Sequence, residues 1–176
     1  MAEPLRPTAT KVHGRTNWVL VLTAGDINAL TVAELTGASS LDITRIAFDS
    51  TGKPAQSTNR VTAQRRLGDT KTYEFIGDSS ITGGDLVYAF ADQAAAGEDG
   101  KKLFEKIPEG TTAILVERKG VPRATDFTAG QFYNAYPVEF GPSFPVDAGD
   151  AEAAESAMTA AFAITGEAAV NEAIAA

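Results

Sequence analysis

Apolar residues alternate with polar residues along several stretches of the chain, with the two-residue period of strands that are covered on one face. Two other stretches, residues 18–22 and 113–116, are continuously apolar, which is typical of strands covered on both faces. We therefore expect these two runs at the centre of a sheet. The alternating stretches carry Leu86, Tyr88 and Phe90; Phe132, Tyr136, Val138 and Phe140; and Met158, Ala160, Phe162 and Ile164.

Turn signals that contain glycine recur at short intervals between these stretches, which indicates many short strands joined by tight turns. Residues 151–163 are ambiguous, because their alanines favour a helix while Met158 to Ile164 alternates like a strand. We predict a strand from about Ala157 onward. The pattern as a whole predicts a mainly β domain.

One segment has helical spacing. Leu103, Phe104 and Ile107 share a face only in a helix, and Pro108 ends the run. The sequence therefore predicts one short helix at about 99–107.

Two polar segments lack the apolar pattern that a packed core needs. Residues 1–16 are rich in Pro and Thr, and we predict an extended N-terminal arm there. Residues 50–70 form a long polar excursion, and a loop of this length in a compact domain usually has a binding role. Residues 17–176 are expected to form a single domain that includes this loop.

Composition limits the classes of function. The chain has 176 residues, enough for one core, and no apolar run is long enough to span a bilayer, so a soluble protein without membrane contact is expected. Residues 1–10 do not resemble a secretory signal. There is no cysteine and His13 is the only histidine, which removes disulfides, thiolate catalysis and Cys-ligated metals.

The net charge of −8 is distributed unevenly. Residues 1–123 contain all 15 Lys and Arg and 15 of the 23 Asp and Glu, so this part is neutral. The remainder has no base and would repel nucleic acid, because tight binding needs Lys and Arg to neutralise phosphates. Its eight acids are Asp126, Glu139, Asp147, Asp150, Glu152, Glu155, Glu167 and Glu172.

For three candidate sites, a structural explanation of the residues is stronger than a functional one. A catalytic triad would need His13, which lies in the predicted arm without a scaffold to orient it. Gly83 and Gly84 lack the lysine and the helix of a phosphate loop, so a tight turn explains them better. The acids at 147–155 miss the spacing of a calcium loop and are interpreted as a solvated face. We expect no catalytic residue, no metal and no cofactor.

A basic cluster and a set of aromatic residues have competing interpretations. Arg60, Arg65 and Arg66 could hold phosphate or could pair with acids of a neighbouring subunit, and the charge asymmetry favours the second. The aromatic residues at strand spacing could stack on nucleic-acid bases, but we interpret them as core. They are Tyr73, Phe75, Tyr88, Phe90, Phe132 and Phe140.

The order of segments resembles the major tail proteins of long-tailed, noncontractile bacteriophages. TVAELTGASSLDITRIAFDSTGKPAQSTNRV at 31–61 and RRLGDTKTYEFIGD at 65–78 look like the front half of these proteins. LVYAFADQAAAGEDGKKLFEKIPEGTTAILVERKG at 86–120 and FAITGEAAVNEAIAA at 162–176 look like the back half. The resemblance spans nearly the whole chain, and it rests on the order and spacing of segments that are individually unspecific.

The resemblance implies a tail-tube fold: two packed antiparallel sheets, sandwich-like or barrel-like, one flanking helix, a long loop and extended terminal arms. It also implies a structural virion protein, made in the host cytoplasm, whose six-membered rings stack into a tube that DNA passes through without specific binding. Expected partners are further copies of the chain, a tape measure protein, and tail terminator or baseplate proteins.

Ten charged residues are the expected subunit contacts, with the basic loop docked on acids of the C-terminal part of a neighbour. An inner tube of a contractile tail or of a type VI secretion system is an alternative. A monomeric β-sandwich, as a binding module or an enzyme, is another. The expected contact residues are Arg6, Lys11, Arg15, Arg60, Arg65, Arg66, Asp147, Asp150, Glu152 and Glu155.

Overall fold

The computed structural model describes residues 13–93, 95, 97–146 and 155–176. These residues form strands and two helices, α1 (Val32–Thr36) and α2 (Asp99–Lys106). The strands are β1 (Thr16–Val21), β2 (Ser40–Asp42), β3 (Ala55–Thr62), β4 (Glu74–Thr82), β5 (Gly84–Ala89), β6 (Thr112–Lys119), β7 (Phe132–Val146), β8 (Ala157–Ile164) and β9 (Ala169–Ala173).

Seven strands form one antiparallel sheet in the order β2-β1-β6-β7-β8-β5, with β9 paired to the first part of β7. The second sheet is the two-stranded hairpin β3–β4. The predicted mainly β fold with two antiparallel sheets is thereby confirmed. Strands β1 and β6 come from the two continuously apolar runs, and each lies between two other strands as expected. Strand β8 begins at Ala157, where the sequence predicted it.

The large sheet has a core on each face, because neighbouring residues of its central strands point to opposite sides. Leu20 and Leu115 belong to one buried cluster, together with Tyr88, Val138 and Phe140. Residues one position away in β1 and β6 belong to the second cluster, which includes Val19, Val116, Leu35 of α1, Tyr133 and Ala169. This alternation is why both runs are apolar at every position.

One segment, residues 43–52, connects the two far edges of the large sheet. The N–H of Ile43 donates to the carbonyl of Trp18 at 2.9 Å on the β1 side. On the β5 side, the N–H of Phe48 donates to the carbonyl of Val87 at 2.8 Å, and the N–H of Ala89 donates to the carbonyl of Ile46 at 2.9 Å. The sheet is therefore curled, which gives it a barrel-like shape.

Helix α2 confirms the predicted helix. Leu103 is buried in the first core cluster, and Ile107 caps the C-terminus. Phe104 packs on Phe90, with ring centroids 5.4 Å apart. No helix in the described part of the chain is long and apolar enough to cross a membrane.

Helix α1 was not predicted, although its capping signal is present in the sequence. The N–H of Glu34 donates to the hydroxyl of Thr31, and the Glu34 carboxylate accepts from the N–H of Thr31 at 2.8 Å. These backbone bonds, first that of Thr31 and then that of Gly25, lower the pKa of Glu34. A Thr-x-x-Glu capping box was therefore readable before the fold was known.

Two predicted irregular segments contain strand. Residues 50–70 hold β3, so the long loop is in fact one side of a hairpin. Thr16, the last residue of the predicted arm, opens β1 and pairs with Lys119. Residues 1–12 of that arm lie outside the described residues.

A buried arginine holds the segment that connects β6 to β7. Arg118 is 0% exposed, and its guanidinium donates to Asn17 Oδ1 at 2.9 Å, to Gln131 Oε1 at 2.7 Å and to the carbonyls of Thr125 and Asp126. It also lies 4.1 Å from the ring centre of Phe127. Burial lowers the pKa of Arg118, and the nearby carboxylates of Asp42 and Asp126 act in the opposite direction.

Glycine is required where the hairpin enters β5. A Cβ on Gly83 would lie 1.9 Å from the carbonyl oxygen of Phe162, whereas a Cβ on Gly68 would meet nothing within 4 Å. We expect Gly83→Ala to lower the free energy of unfolding by about 2 to 3 kcal/mol through backbone displacement, and Gly68→Ala to change it by less than about 0.5 kcal/mol. Chemical denaturation of both variants measures the difference. Equal stabilities would contradict the close approach at Gly83.

Candidate functional site

A cavity of about 570 Å³ opens beside the base of the β3–β4 hairpin. Its lining includes the buried side chains of Ile43, Leu86 and Leu115. Charged and titratable side chains also line it: His13, Asp49, Lys53, Glu117, Lys119 and Arg123. The cavity therefore combines an apolar interior with side chains of both charges.

The polar groups of this cavity do not form a catalytic arrangement among the described residues. The carboxylate of Glu117 is buried and pairs with Lys119 Nζ at 2.6 Å, and Asn134 Nδ2 donates to it at 3.4 Å. His13 is exposed and makes no hydrogen bond to a described residue. Within the described ranges, no three His, Cys, Asp or Glu side chains could hold a metal ion. We therefore interpret Glu117 as one member of a structural ion pair with Lys119.

The β3–β4 hairpin is the exposed element of the fold. Every residue of β3 is exposed, as are most residues of β4. Cross-strand hydroxyls stabilise it, with Ser57 and Ser80 Oγ atoms 3.0 Å apart and Thr58 Oγ1 and Ser79 Oγ 3.2 Å apart. A two-stranded hairpin is only marginally stable alone in water, so this one is suited to a partner surface. Its exposed large apolar residues are Val61, Leu67, Tyr73, Phe75 and Ile76.

The hairpin tip, residues 63–73, carries most of the basic cluster. Arg65 donates to the Asp69 carbonyl at 2.8 Å, and the backbone N–H of Arg66 donates to the Asp69 carboxylate at 2.9 Å. Leu67 lies between these bonds and is fully exposed. Arg60 lies on β3 opposite Ile76. The three predicted arginines are therefore on one element, with Arg65 and Arg66 held on a compact turn.

The other predicted contact residues are not brought to this cluster within one chain. Arg15 donates to the carbonyl of Gly120 at 3.2 Å, beside the start of β1. Glu155 is exposed just before β8, and no ion pair joins it to the cluster among the described residues. The remaining predicted contacts lie outside the described residues: Arg6, Lys11, Asp147, Asp150 and Glu152.

Three aromatic residues predicted to be core are exposed, so that prediction is wrong for them. Tyr73 is 61% exposed, Phe75 is 66% exposed and Phe132 is 56% exposed. The first two belong to the hairpin, whose strand β3 is mostly polar, with Ala55 and Val61 as its apolar residues, and offers no second apolar face. That polar partner was the sequence signal that could have identified them as surface residues. Tyr88 and Phe140 are buried, and Phe90 packs against the first core cluster, as predicted.

Comparison with known proteins identifies the family of this chain. The sequence model of the phage tail tube protein family matches residues 4–176, nearly the whole chain. The chain belongs to this family. The resemblance to tail proteins in the segment order is thereby confirmed, and the protein is a structural component of the virion tail. No curated protein matches the chain in sequence.

Solved structures share the fold of this tail tube protein. Six chains match, and one of them belongs to the 6-fold symmetrised baseplate of the anti-feeding prophage. That chain is 7% identical with a TM-score of 0.51, and the match covers 97% of this chain and 98% of the other. At this identity the likeness shows a common fold alone.

Proposed function

We propose that this protein self-assembles into stacked rings that form the tail tube, and that the β3–β4 hairpin joins the subunits. The exposed hairpin is the observation that carries the proposal. It contributes no residue to either core cluster, yet it presents five large apolar side chains to solvent. Exposed apolar surface of this kind marks an interaction site in a stable protein.

The hairpin edges support the same conclusion. Strands β3 and β4 pair with each other, and their outer edges contain no proline over 55–62 and 74–82. The end of β7, residues 141–146, by contrast, carries Pro142 and Pro145, which lack the N–H that strand pairing needs. Open edges invite a strand of a neighbour, and closing a ring satisfies them. The hairpin edges are therefore available for pairing with a strand of a neighbour.

Membership of the family adds three features to this proposal. They are six subunits per ring, passage of DNA through the lumen, and binding to tape measure, terminator or baseplate proteins. The surplus of acidic residues supports it, because an acidic lining repels DNA and lets it slide. Electron microscopy of the purified protein after negative staining is the direct test. Tubes with a regular axial repeat are expected, and dispersed monomers at every salt and protein concentration would refute self-assembly.

Reversing the charge of the hairpin tip should slow tube growth. We propose that Arg65 and Arg66 dock onto acids of a neighbouring subunit, so Arg65→Glu together with Arg66→Glu places like charges together. Each exposed pair contributes only about 0 to 1 kcal/mol, but every subunit of a tube repeats it. Light scattering should show growth slowed at least about tenfold at low salt. The wild type should slow in the same direction at high salt, since exposed charges are screened beyond about 8 to 10 Å.

The matched control for this pair is Gly68→Ala, which changes the same turn without changing its charge. Circular dichroism and thermal unfolding should be the same for all three proteins, because the tip contributes no residue to either core cluster. Normal growth of the doubly reversed variant at low salt would contradict docking by charge.

A further inference from the structure

In the described structure, much of one half of the outer face of the large sheet is exposed or partly exposed, although Ala157 is buried. Helix α1 and residues of the second core cluster cover the half formed by β1, β6 and the start of β7. The other half, formed by β5, β8 and the end of β7, has four rows of paired residues that share one face. These rows are Thr112, Glu139 and Ala163; Asp85 and Ala161; Val87, Thr159 and Phe144; and Ala89, Ala157 and Val146.

This open face is acidic and lined mainly by small side chains. Its charged residues are Asp85 and Glu139, both exposed, and none of the eleven residues in the four rows is basic. Ala161 and Ala163 are exposed between the two acids, which leaves room for a larger apolar side chain above them. Phe144 is 59% exposed at the far end of the face.

The hairpin tip complements this face in charge and in shape. Residues 63–73 carry Arg65, Arg66 and Lys71 against one acid, Asp69. The backbone N–H of Arg66 already binds the Asp69 carboxylate, and the Arg65 guanidinium donates to the Asp69 carbonyl. Leu67 projects from this turn into solvent. A basic turn with one apolar projection fits a face that has two carboxylates around small residues, because opposite charges and a complementary surface steer and orient association.

A chain cannot place its tip on its own open face in the described structure. Asp85 lies at the base of the hairpin, where its carbonyl accepts from the N–H of Gly52 at 2.8 Å, and β4 runs directly into β5 through Gly83. Strand β4 has nine residues, so the tip lies about 30 Å from the base at about 3.4 Å per residue. The surface within reach of the tip belongs to another copy.

We propose that the tip of one subunit binds the open β5–β8–β7 face of a second copy, with Arg65 and Arg66 near Asp85 and Glu139 and with Leu67 over Ala161 and Ala163. This rests on the proposed function and names the surface that the hairpin engages. Because the tip of one copy meets the base of the next, the contact is head-to-tail and does not close on itself. Such a contact extends an array by about one hairpin length per step.

Charge exchange between the two surfaces tests this contact. Asp85→Lys with Glu139→Lys should slow tube growth at least about tenfold at low salt, as tip reversal does. A protein that carries both the two tip reversals and the two face reversals should recover at least half of the wild-type rate, because the opposite charges are paired again. Asp92→Lys with Glu105→Lys is the matched control, since both acids are exposed and lie outside the four rows, and its growth should stay within about twofold of wild type.

Thermal unfolding of each variant separates a folding defect from an assembly defect. Normal growth of the Asp85→Lys, Glu139→Lys protein would overturn the inference while leaving self-assembly in place. Failure of the combined variant to recover, with both parent variants folded and slow, would also overturn it. A wild-type protein that never assembles would instead refute the proposed function.

Discussion

Replacing residues 56–81 by Asn-Gly should leave a folded monomer that forms neither rings nor tubes. Ala55 and Thr82 are paired directly opposite each other, so a two-residue turn can join them without moving the body of the protein. The segment removed contributes no residue to either core cluster. It does contain the five exposed apolar residues of the hairpin and the two open strand edges. Assembly is therefore lost while the core is kept.

Two measurements check this expectation. The melting temperature of the shortened protein should stay within a few degrees of the full chain, since a change of 1 kcal/mol shifts it by about 2 to 4 °C at this size. Size-exclusion chromatography and electron microscopy should show monomers at concentrations at which the full chain forms tubes. Tubes built by the shortened protein would show that other surfaces assemble the subunits and that the hairpin is an accessory.

Arg118→Met should destabilise the protein at least as much as Gly83→Ala. Methionine is also a long, unbranched side chain, but it leaves four oxygen atoms without their guanidinium partner. These are the oxygens of Asn17, Gln131, Thr125 and Asp126 that accept from Arg118. Each unsatisfied polar group in a buried site costs about 1 to 3 kcal/mol. Allowing for access of water to the partly buried acceptors, we expect a loss of about 3 kcal/mol in the free energy of unfolding.

The control is Arg123→Met, which removes an exposed arginine of the neighbouring segment and should change stability by less than about 0.5 kcal/mol. Urea denaturation measures both variants. Hydrogen exchange should also become faster over residues 123–131, because the Arg118 guanidinium binds carbonyls of this segment. Unchanged stability and exchange in Arg118→Met would mean that the segment is held by its own turns and by Phe127.

The candidate contact surface was only partly visible in the sequence. Arg60, Arg65 and Arg66 could be singled out, because a basic cluster in a polar stretch contrasts with the acidic C-terminal part of the chain. Glu139 belongs to that acidic part, but Asp85 lies outside it. These two acids face the same way because β5 and β7 both pair with β8, which is a property of strand order. Sequence spacing carries no information on that order.

The sequence by itself determined the mainly β class, the two central strands, helix α2 and the start of β8. Each depends on local pattern: the period of apolar residues, their continuity and the residues that end a helix. Tertiary structure decided which apolar residues are covered. Tyr73 and Phe75 alternate like the core residues Leu86 and Tyr88, but β4 pairs with the polar strand β3 and leaves the large sheet. Burial depends on what lies opposite a strand, and that is set by contacts between residues distant in the sequence.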